Sequence, residues 1–417
     1  MKKILLIPAL LASLFVVATA CGTGTNSGGQ KTVSNVEFGE NDYEKIINAN
    51  NNLGFKLLSE VEADENNNIF ISPTSLFMAL SMVYNGADGE TKEEIAGALQ
   101  VEGIDVDELN KANASLMSLL DKETDDVQIN IANSIWLNKN FHFRDDFAKN
   151  NKEYFIAEIQ EIDISSSESP KRINEWVKKA TNEKITEIVD SPLDSRVVAI
   201  LINAIYFKGG WTNEFDENET VNRAFQLEDG TTKDVPLMSL HKKLAYMENE
   251  NFQAVTLPYG EGEMSMKVFL PKENISLAEF EKMVTSENWA MWNSEFQFKK
   301  GTIMLPKFQL EYEASLNETL NTLGMTSAFG TDANFTKMIK EDDPFWISNV
   351  KQKTFIDVNE EGTEAAAVTV IEMETTSVSI DEPFHMEVNR PFFLTITDDE
   401  TGAILFMGSI ANPEQGE

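Results

Sequence analysis

Two hydrophobic periods alternate along the chain and divide it into helices and strands. Over residues 41–61 apolar side chains return at helical spacing (Tyr43, Ile46, Ile47, Leu53, Phe55, Leu57, Leu58). Residues 68–71 are short and extended. Ser72-Pro73 then starts a helix, with Ser as cap and Pro in the first turn, where its missing N–H costs nothing. The run Leu76, Met78, Ala79, Leu80, Met82, Val83 is apolar nearly all round and predicts a buried helix. Helices follow at 91–99, with Thr91 as cap and Glu94 three residues on, and at 107–120, 145–155 and 170–180. Between them Val127, Ile129 and Ile131 alternate toward Trp136, as in a strand. Residues 197–207, VVAILINAIYF, form a near-continuous apolar run that fits a strand covered on both faces. Its one amide, Asn203, must find partners inside the core, most simply Ser72 and Ser75 at the helix start. Beyond Trp211, short strands and turns fill 211–260 and 264–271. A helix spans 277–292, 302–310 is extended, 315–323 is helical and 345–358 is extended. Three strands close the chain over 384–411, broken at Pro391 and Thr401-Gly402.

Residues 359–380, NEEGTEAAAVTVIEMETTSVSI, fit neither period alone. The first half sets an alanine run of high helix propensity behind a glycine that can hinge the backbone. The second half is rich in β-branched residues and suits a pleated surface. Read two at a time, Thr363, Ala365, Ala367, Thr369, Ile371 and Met373 make one small or apolar face, opposite Glu364, Glu372 and Glu374. A segment with that face can be a loop in one state and a strand between neighbours in another.

Composition narrows the partners. A chain of 417 residues, 42% hydrophobic, buries a large core, and no linker, repeat or low-complexity tract divides it after Val36, so 41–417 reads as one domain. A net charge of −35 argues against nucleic acid, heparin-like polyanions and anionic headgroups as partners. At the N-terminus, Met1-Lys2-Lys3, an apolar stretch over 4–17 and Ala18-Thr19-Ala20-Cys21 make residues 1–20 a signal peptide. It resembles a bacterial lipoprotein signal, which implies lipidation of Cys21. Residues 21–40 would then be a flexible tether, and the domain an extracellular one held at a bacterial membrane through its lipid alone. Ala18 stands where leucine is common in such signals, leaving ordinary cleavage and secretion as the alternative. With one cysteine the chain forms no internal disulfide, so the fold rests on core packing.

The stretch Glu360-Glu361-Gly362-Thr363-Glu364-Ala365-Ala366-Ala367 resembles the proximal hinge of the reactive-centre loop of inhibitory serpins. Other serpin-like motifs occur in order: Asn68-Ile69-Phe70-Ile71-Ser72-Pro73-Thr74-Ser75, then Ile202-Asn203-Ala204-Ile205-Tyr206-Phe207-Lys208-Gly209-Gly210-Trp211, then Asn389-Arg390-Pro391-Phe392-Phe393 and Phe406-Met407-Gly408-Ser409-Ile410-Ala411-Asn412-Pro413. The resemblance covers about 42–413 and implies an α+β serpin fold with three β-sheets, about eight or nine helices and an exposed reactive-centre loop. It assigns the hinge to Glu360 through Ala367 with Val368 and Thr369, the breach to Trp211, and the shutter to Ser72, Ser75 and Asn203. A histidine usually completes the shutter; here Gln352 takes its place, which keeps a donor and an acceptor but removes any histidine-linked pH response. The helix over 107–120 corresponds to the heparin-binding helix of activatable serpins, yet Lys111 is its only base.

Catalytic chemistry is sparse. The three histidines, His142, His241 and His385, stand in unrelated contexts, with no HExxH, no GxSxG, no cofactor motif and no metal-ligand set. One S-x-x-K occurs at Ser239–Lys242 without the partners that would give it meaning. The resemblance instead implies a suicide-substrate inhibitor of serine proteases, not an enzyme. A protease cleaves the loop, forms its acyl-enzyme, and is distorted as the hinge half inserts into the central sheet. Adding about fifteen residues to a sheet at ~0.5–1.5 kcal/mol per hydrogen bond supplies on the order of 10 kcal/mol. The family register puts the reactive bond between Thr376 and Ser377, with Thr375–Thr376 as rival. A threonine there, without Arg or Lys over 359–387, points to an elastase- or subtilisin-like target, with some cysteine proteases open to the same acyl chemistry. The chain is expected to act as a monomer in a covalent complex with the protease. The competing function is a non-inhibitory serpin-fold binding protein at the cell surface.

Overall fold

The computed structural model describes residues 36–121, 126–363 and 382–415, which fall in one compact unit. In chain order they form α1 (Ile47–Glu60), β1 (Ile69–Ile71), α2 (Pro73–Tyr84), α3 (Gly89–Leu99), α4 (Val106–Leu120), β2 (Val127–Asn138), α5 (Asp145–Tyr154), β3 (Glu158–Ile162), α6 (Glu168–Ala180) and β4 (Ala199–Gly210). Next come β5 (Val221–Gln226), β6 (Thr232–Glu248), β7 (Phe252–Tyr259), β8 (Met264–Pro271), α7 (Leu277–Glu281), α8 (Ser286–Glu295), β9 (Gln297–Pro306), β10 (Phe308–Ser315) and α9 (Asn317–Thr322). The chain closes with β11 (Asn349–Val358), the two-residue β12 (Gly362–Thr363), β13 (Phe384–Glu387), β14 (Phe392–Asp398) and β15 (Ile404–Ile410). This is the α+β architecture expected, with nine α-helices among the described residues.

Six strands form one sheet in the order β10-β11-β12-β4-β2-β3. The others run β1-β15-β14-β8-β7-β6-β9-β13, with β5 on β6. The second and third expected sheets are joined here, because the 17-residue β6 is long enough to run through both.

β4 is buried on both faces, as its unbroken apolar run requires. Leu201, Ile205 and Phe207 enter the main core, while Ile200, Ile202 and Ala204 enter a second core with Trp136, Ile173 and Val177 under α6. Each such isoleucine contributes ~1.5–3 kcal/mol by leaving water. On the main-core side α2, buried at every residue, packs against β2, β4 and β15. Its start is the expected one: the Ser72 hydroxyl accepts a hydrogen bond from the Ser75 N–H at 3.2 Å, with Pro73 next in line.

Two helix boundaries differ from the periodicity. Asp88, not Thr91, precedes α3, and Thr91 is buried inside it, accepting from Asn334 N–H at 2.9 Å. Glu94, expected to complete a capping box there, instead accepts from the Ser327 N–H at 2.8 Å. The helix expected over 277–292 is two, α7 and α8, because Thr285 caps the second by accepting from Asn288 N–H at 3.3 Å while Val284 turns inward.

Candidate functional site

The site lies where β4 and β11 part. Along Asn349–Thr354 they pair directly and in parallel with Ile200–Ile205. Beyond that point the two-residue β12 fills the space between them, antiparallel to both: Thr363 faces Val358 on one side and Gly209 on the other. The register offset between β4 and β11 is the same whether read across β12 or along their direct pairing. The two strands are therefore spread sideways without sliding. Gly209 leaves room for two rings beside the strand, since a Cβ there would lie 2.7 Å from the Phe207 ring and 2.8 Å from that of Tyr259.

Trp211 and Glu360 hold the turn into β12. The Trp211 indole donates to the Asn359 carbonyl at 2.9 Å and its backbone N–H to Glu361 at 3.0 Å. The ring stacks on Tyr259 at 4.4 Å, and the Tyr259 hydroxyl bonds the Thr363 hydroxyl at 2.7 Å. Burial pushes the Tyr259 phenol up, with the Thr363 bond acting against it. The Glu360 carboxylate, 7% exposed, receives Lys307 Nζ at 2.6 Å and the Thr220 hydroxyl at 2.8 Å. Burial works to raise its pKa, but these bonds outweigh it and hold the carboxyl below its ordinary value. The side chain of Asn359 closes the turn by accepting from Glu361 and Gly362 N–H at 3.1 and 3.2 Å.

Deeper between the strands, Asn203 and Gln352 are register partners, both wholly buried. The Gln352 amide donates to the Ser72 carbonyl at 2.9 Å and to Asn203 Oδ1 at 2.6 Å, and accepts from the Ser72 N–H at 2.9 Å. Asn203 donates to the Ser75 hydroxyl and to Asn133 Oδ1, the latter at 2.7 Å. Ser72 does not meet the Asn203 side chain directly as expected; its hydroxyl donates to the Leu405 carbonyl at 2.6 Å and so ties α2 to the other sheet. The network thus links α2, β2, β4, β11 and β15 at the point where the strands separate.

Asn133 escaped the sequence reading, although the β2 alternation Val127, Ile129, Ile131 lands on it two residues later and its register partner is Asn203. Of the other predicted residues, Glu361 and Gly362 sit in the turn that leads into β12. Glu364, Ala365, Ala366, Ala367, Val368 and Thr369, the bonds at Thr375, Thr376 and Ser377, and Cys21 lie outside the described residues. Ser239 and Lys242 stand three apart on β6 and so on opposite faces. His241 and His385, unrelated in sequence, are brought to strands flanking β9. Lys111 is paired with Asp107 at 2.6 Å. Among the described residues no cluster of three or more metal-ligating side chains occurs, and no helix is long and apolar enough to cross a membrane.

Comparison with known proteins agrees with this geometry. The family model described as "Serpin (serine protease inhibitor)" matches residues 48–413. An uncharacterised serpin-like protein of Thermococcus kodakarensis is 33% identical, over 90% of this chain and 88% of its own. The thermophilic serpin tengpin in its native state superposes with a TM-score of 0.82 at 33% identity, covering 92% of this chain and 96% of its own. Human thyroxine-binding globulin complexed with thyroxine gives 0.80 at 26% identity, covering 90% and 100%. With the family model matching 48–413 and relatives and solved structures alike covering about nine-tenths of the chain, the protein belongs to the serpin family.

Proposed function

We propose that this serpin inhibits serine proteases irreversibly, by cleavage within 364–381 and insertion of the hinge half between β4 and β11. Serpins act mostly as protease inhibitors rather than catalysts, and proteases are the family's partners in general, although some members are non-inhibitory. The observation that supports the inhibitory reading is β12: Gly362–Thr363 already pairs with both neighbours in the orientation an inserting strand needs. Carried on in that register, residue 369 arrives beside Asn203 on one side and Gln352 on the other. Insertion that far breaks the Gln352–Asn203 bond, so the shutter network is the barrier the new strand must cross. The small residues from Thr363 to Thr369 suit passage between packed strands, and count against a non-inhibitory binding protein. Threonine at the reactive bond, Thr376–Ser377 or Thr375–Thr376, favours an elastase- or subtilisin-like enzyme.

The test is denaturing gel electrophoresis after mixing with pancreatic elastase. A covalent adduct resistant to SDS is expected; cleaved chain alone at every ratio would refute inhibition. Within the same reading the domain acts as a monomer, tethered by residues 21–40 from a lipid on Cys21 at the outer face of a bacterial membrane. Labelled palmitate should enter the wild-type protein and not Cys21→Ala; equal labelling would refute the anchor.

A further inference from the structure

Between β13 and β14 the chain carries Asn389-Arg390-Pro391, and the fold uses only part of its arginine. Arg390 is half-buried. Its Nε donates to the Pro271 carbonyl at 2.9 Å and its Nη1 to Asn389 Oδ1 at 3.1 Å. A guanidinium has five N–H donors and two are used, so three remain without a protein partner. No carboxylate of the described residues bonds it. Glu273 acts on it only through its field, and burial works against its charge. Taking a cation partly out of water without a countercharge is costly, and a chain with 69 acids and 34 bases has carboxylates to spare.

Arg390 lines a cavity of about 190 Å³ where three connections meet: residues 226–228 at the end of β5, residues 271–277 between β8 and α7, and residues 390–391. Backbone bonds fix these walls. The Gln226 N–H donates to the Asn389 carbonyl at 2.8 Å, and the Ile275 N–H to that of Lys272 at 2.9 Å. Leu227, Ile275 and Pro391 give the cavity apolar surface, while Glu228 and Glu273, both exposed, line it as well. Sites for drug-sized ligands begin at roughly 300 Å³, so this one suits a smaller molecule. A guanidinium takes a carboxylate through parallel N–H bonds, apolar walls take a hydrocarbon side chain, and a pair of glutamates takes an ammonium.

We propose that this cavity binds a free apolar α-amino acid of about leucine size, with its carboxylate on Arg390, its ammonium toward Glu228 and Glu273, and its side chain against Leu227, Ile275 and Pro391. The three groups of the ligand answer the three kinds of surface present. The acids also set the preference between the two sources of an α-carboxylate: a peptide C-terminus has an amide where the free amino acid has its ammonium, and leaves both glutamates unanswered. None of the lining residues belongs to β4, β11 or β12, so the site stands whether or not the loop inserts.

The experiment is a saturation-transfer NMR titration of the full-length protein with L-leucine, L-leucinamide and N-acetyl-L-leucine. Leucine should bind with a Kd on the order of 1 mM or tighter. Leucinamide, which lacks the carboxylate, should bind at least about ten-fold more weakly. N-acetyl-leucine, which lacks the ammonium, should bind about three-fold more weakly, since the glutamates are exposed. Arg390→Gln should lose at least about ten-fold in leucine affinity. That change also removes the bond to Pro271, so Ile275→Trp, which fills the cavity and keeps the guanidinium, is the second variant and should abolish binding; melting curves show that each variant is folded. Glu228→Gln/Glu273→Gln should weaken leucine about three-fold and leave N-acetyl-leucine unchanged. No transfer to leucine at about 10 mM overturns the proposal. So does equal binding of leucine and leucinamide, or undiminished binding by folded Arg390→Gln or Ile275→Trp. N-acetyl-leucine bound as tightly as leucine would overturn the amino-acid assignment in favour of a peptide C-terminus.

Discussion

Gln352 is the residue on which the shutter turns, because its amide satisfies both backbone groups of Ser72 and the oxygen of Asn203. Gln352→Ala leaves those buried groups unpaired and should cost about 3–5 kcal/mol, read as a lowered Tm; a Tm within a degree of wild type would mean that the network is slack. Gln352→His tests the missing pH response. A buried imidazole is held neutral in the fold but protonates below about pH 6.5 when unfolded, so the variant should lose stability as pH falls through that range. Wild type should show no such step. Glu360 has the same sense at lower pH: its carboxyl is held below its ordinary value in the fold, so its contribution is present above the unfolded pKa and lost as pH falls through the folded one. Thermal scans of Glu360→Gln should accordingly be flatter with pH on the acid side than those of wild type.

Among the elements, β12 lies between β4 and β11 at the position where the proposed insertion would begin. Thr363 is 1% exposed with its hydroxyl on Tyr259, so Thr363→Arg would place an unpaired charge at the mouth of the sheet. That variant should be cleaved by elastase without forming the adduct; full inhibition would refute insertion. A peptide with the sequence of residues 364–375 should occupy the same space in trans and turn the inhibitor into a substrate. Much of this arrangement was legible in the chain. The two-sided burial of β4 followed from its unbroken apolar run, and the cap of α2 from Ser72-Pro73. The helix break at Thr285 was not legible, because Leu277, Phe280, Trp289 and Trp292 keep a helical spacing across it and the cap becomes decisive only in three dimensions. Thr91 and Glu94 failed for a related reason: tertiary partners at Asn334 and Ser327 took the groups that a local capping box would have used. Asn133 could have been found by following the β2 alternation further, since an inward amide opposite an inward amide is a hydrogen bond in waiting.

For the whole molecule, the fold has a six-stranded sheet whose two central strands pair directly at one end and are parted at the other, where Gly362–Thr363 lies between them. Completing that strand would add on the order of 10 kcal/mol of backbone hydrogen bonding. With one cysteine the chain forms no internal disulfide, so core packing holds the native state against the self-repulsion of a net charge of −35. The most direct measurement is the melting temperature before and after a single proteolytic nick within residues 364–381, with the sheet content followed by circular dichroism. A rise of at least about 10 °C with added strand signal is the expected result, given the energy above and the unfolding entropy of a domain this size. An unchanged Tm and an unchanged spectrum after complete nicking would contradict the account.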